Sequence, residues 1–340
     1  MHNINDRYLL IQTASIGDVV LITPVIESIH KYNPNAEIFI LINSRAAELF
    51  DNHPFISKVF IWNKKNRKYK HLWHLILQLR KYNFTAVINF QRYLSTGFLM
   101  WCMHSNKKIT FRQSTMSCLF ANETYEHLWN QKHEVDRNLI LIQNLVNNES
   151  LIRRPQLYIP ENIKIDLPQN PYICISPYSL WNTKQMVIWR WVDLCESLIN
   201  LGYNVAVLGG KDDINKNNLF FKEFQNNEHI YDFVGKLSLL ETLYVIKHSF
   251  ITYSNDSAIT HLASSINAPI ATIFCSTVPS FGFTPLSDKS FIIEPNIELL
   301  CRPCGKHGYS KCPKNLFICG NSFNIDQLLE PVKELQSDVQ

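Results

Sequence analysis

The chain contains no uninterrupted apolar run of the roughly 18–20 residues that a bilayer-spanning helix requires. Its N-terminus offers only Tyr8-Leu9-Leu10-Ile11 before polar residues return, too short for the apolar core of a secretory signal. Both absences lead to the expectation of a cytoplasmic protein. Neither glycine-rich phosphate loop is present. No GxGxxG follows the first strand and no GxxxxGK[ST] occurs anywhere, which disfavours an NAD enzyme and a P-loop ATPase. A strong charge excess is also missing. The net charge of +4 is too mild to imply nucleic acid as a partner. Nine cysteines, an odd number without an export signal, argue against a disulfide framework.

What the sequence does have is alternation. A content of 46% hydrophobic and 18% charged residues is that of a globular chain, and 340 residues are comfortable for two domains. In the first half, strands are expected at 7–11, 37–42, 58–62, 85–90 and 109–111. Helices are expected at 19–30, 44–50, 71–82 and 133–145, with the rest of 107–120 as loop. Pro155, Pro160, Pro168 and Pro171 then interrupt any helical period and mark a linker. The pattern restarts with strands at 172–176, 204–208 and 230–234 and helices at 191–201, 215–224 and 239–247; an amphipathic helix spans 325–335. Strand–helix alternation means a parallel sheet with helices on both faces. The expected organisation is two Rossmann-like domains, 1–165 and 166–340, with a cleft between them.

The stretch 250–274 organises the second half. It reads as buried strand, polar corner Ser254-Asn255-Asp256-Ser257, helix, and second buried strand. Asn, Asp and Ser cap helix N-termini, and a capped helix after a parallel strand presents free amides and a positive dipole end to an anion. A well-capped structural helix reads the same way. Asp18, in Thr13-Ala-Ser-Ile-Gly17-Asp18, sits at the first turn of a helix, where the ionised carboxylate a general base needs is favoured; a residue that only caps the helix reads the same way. Lys184 lies in a loop just after a strand, where a point positive charge can meet a phosphate. Gly209-Gly210 permits close backbone approach, and Asp212 or Asp213 beyond it suits a ribose hydroxyl, or a turn and helix cap. His261, one turn after Asp256, faces either a ligand or the core.

Two further features stand apart. Lys64, Lys65, Arg67, Lys68 and Lys70 lead into a Trp-bearing amphipathic helix, which suits an anionic membrane or acidic acceptor, or else a solvated loop before a core-packed helix. Cys301, Cys304, Cys312 and Cys319 cluster with the loose spacing of a thiolate zinc site, which leaves reduced structural thiols or a redox-labile pair as the other readings.

Taken together, the chain resembles glycosyltransferase family 9, the lipopolysaccharide heptosyltransferase family, over nearly its whole length. The resemblance rests on Ser15-Ile-Gly-Asp18 with Pro24, His133-Glu-Val-Asp-Arg137-Asn-Leu139, Gly209-Gly-Lys-Asp-Asp213, Val234-Gly-Lys-Leu-Ser238, Ser254-Asn-Asp-Ser257 with His261-Leu-Ala263, and Cys301-Arg-Pro-Cys304 with Cys312 and Cys319. It implies a GT-B fold and inverting transfer of a heptose from ADP-heptose to a lipid A–Kdo or inner-core acceptor. No cofactor and no catalytic metal are implied. The protein would be cytoplasmic, with peripheral contact at the cytoplasmic face of the inner membrane left open. Asp18 would be the catalytic base. Lys184, Gly210, Asp213, Asp256, Ser257, Ala258 and His261 would bind the donor, and Arg92 and Arg137 the anionic acceptor. The chain departs from the family pattern at Gln12, where a basic residue is usual, at Ala258 in place of glycine, at Phe274-Cys-Ser-Thr277 and at Lys184-Gln-Met-Val187. These departures leave open another nucleotide-sugar, such as a UDP-linked hexose or N-acetylhexosamine, or a homologue that binds without turnover.

Overall fold

The structure is a computed structural model that describes residues 6–64, 67–129, 132–224 and 227–339. Lys65 of the basic run lies outside the described residues. The chain divides into two compact units, Met1–Tyr158 and Ile159–Gln340.

The first unit is a six-stranded sheet in the order β3-β2-β1-β4-β5-β6. Its strands are β1 (Arg7–Gln12), β2 (Glu37–Asn43), β3 (Ile56–Trp62), β4 (Phe84–Asn89), β5 (Ser105–Phe111) and β6 (Glu123–Tyr125), and all neighbours are parallel. Helices cover both faces, so the central strands are apolar throughout and do not alternate. Leu9, Leu10 and Ile11 of β1 and Ile38 to Ile42 of β2 are all buried. The helices are α1 (Ile16–Val20), α2 (Thr23–Tyr32), α3 (Lys68–Leu79), α4 (Leu94–Cys102), α5 (Ser117–Phe120) and α6 (Glu134–Leu139).

The structure departs from the sequence reading in several places. α5 lies in the stretch expected as loop, and β6, a strand at Ser290–Ile293 and a helix at Ile318–Asn321 were not expected. The helix expected over 133–145 is α6 followed by a 3-10 turn at Ile140–Ile142. Three further elements have a clear physical cause. The helix expected over 19–30 is two helices, because Pro24 has no amide to donate and would collide with a preceding turn. The chain ends α1 at Val20 and restarts with Pro24 in the first turn of α2. The helix expected over 44–50 is only a 3-10 turn, Ala47–Phe50. The third is α4, which carries a central glycine that weakens any sequence signal. A Cβ at Gly97 would lie 2.8 Å from the Ser117 amide nitrogen and 2.9 Å from Met116 Cβ, so the glycine is what lets α4 pack on the start of α5.

The last stretch of the first unit is tied to α2. Ile152 N donates to Ser28 Oγ and Gln156 N to Thr23 Oγ1, both at 2.9 Å, and Tyr158 Oη donates to Glu27 Oε1 at 3.1 Å. Burial pushes the Glu27 carboxyl up to about 7, despite the Tyr158 hydrogen bond that opposes it.

The second unit repeats the plan with the order β12-β11-β10-β7-β8-β9. Its strands are β7 (Tyr172–Ser176), β8 (Asn204–Val207), β9 (Ile230–Asp232), β10 (Thr252–Asn255), β11 (Ile270–Ile273) and β12 (Ser290–Ile293), again all parallel. Its helices are α7 (Ile188–Asn200), α8 (Ile214–Phe221), α9 (Leu239–His248), α10 (Ala258–Ser265), α11 (Ile318–Asn321) and α12 (Ile325–Val339). In this order β7 sits between β8 and β10, so the direction of winding reverses there. Loops leaving the C-terminal ends of two strands adjacent to such a reversal diverge and open a crevice.

The Gly-Gly pair after β8 divides into two roles. A Cβ at Gly209 would fall 2.8 Å from the ring of Tyr178, and 3.1 Å from Val234 Cγ1. Tyr178 is buried and donates to Asn217 Oδ1 at 2.6 Å, so it cannot swing aside. At Gly210 a Cβ would meet only Asp213 Oδ2, at 3.7 Å. Gly209→Ala is therefore expected to cost about 1–3 kcal/mol through overpacking. Gly210→Ala should sit within about 1 kcal/mol of the parent. Urea unfolding of the two variants checks both; equal stabilities would refute the assignment.

Candidate active site

The loop after β1 is held from several sides. Ser15 caps α1: its Oγ accepts from Asp18 N, while Asp18 Oδ2 accepts from Ser15 N at 3.1 Å and from Ser15 Oγ at 2.6 Å. Capping is thus part of what Asp18 does, and it fixes the carboxylate at the positive end of α1. Gln12, one of the departures, has a buried side chain whose Oε1 accepts from Ala14 N and from Gln91 Nε2. The positive charge at this loop comes from Lys64 instead. Its Nζ donates to Thr13 O and to Thr13 Oγ1, both at 2.9 Å, and lies 4.9 Å from the Trp62 ring centre. Burial, followed by Lys68, lowers the pKa of Lys64.

In the second unit the crevice between β7 and β10 brings distant residues together. Lys184, in a 3-10 turn after β7, places Nζ 2.6 Å from Asp256 Oδ2, just beyond β10. Thr277 Oγ1 donates to the same oxygen at 2.7 Å. Asn255 ties the Lys184 loop down at both ends, accepting from Met186 N at 2.9 Å and donating to Pro177 O at 2.8 Å. Ser257 is the N-cap residue of α10 but makes no capping bond, and its hydroxyl oxygen is buried without a hydrogen-bond partner among the described residues. Ala258 opens the helix, whose first amides have no intrahelical acceptor. A buried hydroxyl, helix amides and an ammonium beside them form a receptor for a negatively charged group.

Arg302 supports this corner from below. Nε donates to Cys275 O at 2.8 Å, and Nη2 donates to Phe274 O, Thr277 O and Glu294 Oε1 at 3.1, 2.7 and 2.7 Å. It grips the 274–277 turn that presents Thr277. Gly308 completes the packing. A Cβ there would be 2.9 Å from Thr183 Oγ1, which accepts from Tyr309 N at 2.8 Å. Thr277, Asn255 and Arg302 escaped the sequence reading. The first two lay inside quoted motifs, and Arg302 stood inside the Cys301-Arg-Pro-Cys304 run that drew attention only for its thiols.

The remaining candidates are placed as follows. Asp213 Oδ2 accepts from Gly210 N at 3.0 Å, a cap for the turn that follows, and burial raises its pKa. His261 is buried on α10 with its ring 6.3 Å from that of Phe283. Arg92 is exposed, and its carbonyl accepts from Thr115 N and Oγ1. Arg137 lies in the interior of the first unit. Its Nη1 donates to Glu134 Oε2 at 2.5 Å and its Nη2 to Lys132 O at 2.7 Å, with the guanidinium 5.0 Å from the Trp129 ring centre. Burial pushes the Glu134 carboxyl up, but His127 and Arg137 outweigh it and hold the group below its usual range. Arg137 is thus a buried brace for the chain around residues 127–134. An acceptor contact through it has no exposed surface to use.

All nine cysteines are unpaired thiols. Among the described residues, no group of three or more His, Cys, Asp or Glu side chains is arranged to hold a metal ion. Burial drives Cys319 up to about 11 and raises Cys304, whereas Cys301 is exposed and Cys312 is held below its ordinary value, where burial is outweighed by the backbone N–H groups of residues 314–317.

A family model described as glycosyltransferase family 9 (heptosyltransferase) matches residues 72–311. The chain belongs to glycosyltransferase family 9. As a member of it, the protein is a glycosyltransferase. Lipopolysaccharide heptosyltransferase 1 of Campylobacter coli is 24% identical over 98% of this chain and 99% of its own length. Among solved structures, a family 9 glycosyltransferase from Veillonella parvula superposes with a TM-score of 0.82 at 18% identity, covering 98% of each chain. The E. coli ADP-heptose lipopolysaccharide heptosyltransferase II superposes with a TM-score of 0.79 at 16% identity, covering 98% of this chain and 99% of that one. The fold is accordingly GT-B, built from the two parallel α/β units described above.

Proposed function

We propose that this family 9 enzyme transfers a heptose from ADP-heptose to a lipopolysaccharide inner-core acceptor with inversion at the anomeric carbon. The observation that carries the reading is the corner formed by Lys184, Asp256, Thr277 and the N-terminus of α10. It suits a diphosphate leaving group. Asp256 neutralises Lys184. A donor diphosphate supplies stronger negative charge, and Lys184 with the Ser257 hydroxyl and the α10 amides turns to it. The names of the relatives from C. coli and E. coli supply the sugar, the nucleotide and the lipopolysaccharide acceptor.

In this mechanism Asp18 accepts the proton of the acceptor hydroxyl. The freed oxygen attacks the anomeric carbon as the bond from that carbon to the diphosphate oxygen breaks, and ADP departs with both bonding electrons. Positive charge at Lys184 and the helix amides stabilise the developing diphosphate. No covalent enzyme intermediate is needed in a single displacement. Incubating the protein with ADP-heptose and a Kdo-bearing lipid A acceptor is expected to yield one heptosylated product, followed by mass spectrometry. Calorimetry should show ADP binding at least about tenfold more tightly than UDP. Tight UDP binding would move the donor to a UDP-sugar; tight ADP binding without product would mark a binding homologue.

A further inference from the structure

The first unit carries a charge segregation of which the loop after β1 uses only Lys64. Residues 52–122 hold 12 Lys and Arg and not one Asp or Glu. The rest of the chain holds the other 21 Lys and Arg against all 29 Asp and Glu. The modest overall charge therefore hides a strongly basic region on an otherwise acidic protein. Within it, Lys107 and Arg112 are neutralised by Glu123 and Glu126. Arg67, Lys68, Lys70, Arg80 and Lys81 have no carboxylate within ion-pair reach among the described residues and cluster on and beside α3.

The same helix is apolar on two sides. Leu72, Leu75, Ile76 and Leu79 face the core of the sheet. On the flank beside them Tyr69, Trp73 and Leu77, spaced four residues apart on one stripe, are 75%, 54% and 50% exposed. α4 packs on the same face of the sheet, its Leu99 and Met100 sharing the α3 core, and it exposes Leu94 and Trp101; Leu119 of α5 is exposed beside them. The Trp101 ring lies 5.3 Å from that of Phe120. A groove of about 480 Å³ opens between β3 and α3, lined by Lys58, His71, Lys81 and Tyr82. An ordinary solvated helix exposes no run of Tyr, Trp and Leu. Aromatic residues flanked by unpaired cations are the composition of a segment lying in a lipid headgroup layer, with rings at the interface and ammonium groups on the phosphates.

We infer that the outer faces of α3 and α4 dock this enzyme on an anionic phospholipid bilayer, with Tyr69, Trp73, Leu77 and Trp101 entering the headgroup region and Arg67, Lys68, Lys70 and Lys81 on lipid phosphates. The inference rests on the proposed glycolipid acceptor for its purpose, since docking brings the enzyme to a substrate that stays in the membrane. It does not need that reading to be testable.

The full-length protein is expected to co-sediment with vesicles of phosphatidylglycerol and phosphatidylethanolamine, and to bind pure phosphatidylcholine vesicles at least about tenfold more weakly. Raising salt from 50 to 500 mM should release it. Trp73→Ser with Leu77→Ser, and separately Lys70→Glu with Lys81→Glu, should each lower partitioning about tenfold or more. All four residues are at the surface, so melting temperatures should match the parent. Turnover on a deacylated, water-soluble acceptor should be unchanged in both variants, whereas turnover on acceptor embedded in vesicles should fall with partitioning. Three results would overturn the assignment: no binding to anionic vesicles, equal binding of both double variants, or binding only when the vesicles contain the glycolipid acceptor. Failure of the parent on the soluble acceptor would instead count against the transferase reading and leave the docking result standing.

Discussion

Asp18→Ala is expected to lower turnover by about 10²–10⁴-fold, the range of a removed general base, while donor-nucleotide affinity stays close to that of the parent. The structure makes this variant ambiguous when used alone. Asp18 Oδ2 accepts from Ser15 N and Ser15 Oγ, so alanine also removes one half of a capping box, at a cost of about 1 kcal/mol. Asp18→Asn separates the roles. An amide oxygen still accepts both hydrogen bonds but cannot take a proton from an acceptor hydroxyl. The asparagine variant should therefore melt like the parent and remain nearly as inactive as the alanine variant. Turnover, thermal unfolding and donor calorimetry on the pair decide the matter. Restored turnover in Asp18→Asn would make the residue a cap and no more.

The second large effect is at Lys184. Asp256 is buried, and its Oδ2 receives the Lys184 ammonium at 2.6 Å and the Thr277 hydroxyl at 2.7 Å. Removing Lys184 leaves a carboxylate in the interior with one neutral donor, and breaking a buried pair from one side costs about 3–5 kcal/mol. Lys184→Ala is thus expected to lose both stability and donor affinity, the latter by about 10–100-fold for a lost charge-assisted contact. Lys184→Ala combined with Asp256→Asn should recover most of the stability, because no buried charge is then left unpaired. Donor affinity should not recover, since the ammonium is still absent. A double variant that regains donor binding would show that Lys184 serves only to balance Asp256. The energies are read as a double-variant cycle of denaturant midpoints alongside calorimetry.

Much of the architecture was legible because it depends on local regularities. Short continuous apolar runs rich in β-branched residues, such as Ile38 to Ile42, read as strands buried on both faces, and their alternation with helical periods points to parallel sheets. The Ser-Asn-Asp-Ser corner announced the start of α10 by residue type, although Ser257 makes no capping hydrogen bond. Local rules failed where packing overrode them. α4 was hidden by Gly97, whose missing side chain matters only to Ser117 and Met116, residues about twenty positions away. The single helix expected across Pro24 split because a proline inside it would lose a hydrogen bond and clash with the preceding turn, and the chain instead places Pro24 in the first turn of α2.

At the site, sequence alone determined which residue types stand at strand ends and helix starts: Asp18, Lys184, Asp256, Ser257. Their chemistry follows from backbone position, which short-range pattern encodes. Only the tertiary structure decided who meets whom. Sheet order places β7 beside β10, and that neighbourhood, not any spacing along the chain, brings Lys184 to Asp256 and draws in Thr277 and Arg302. The same long-range packing took Arg137 out of contention by folding it against Glu134 in the interior, and left Trp73, with an equally apolar neighbourhood in sequence, facing outward. A residue's type is a property of one position, whereas burial and partnership are properties of the whole fold.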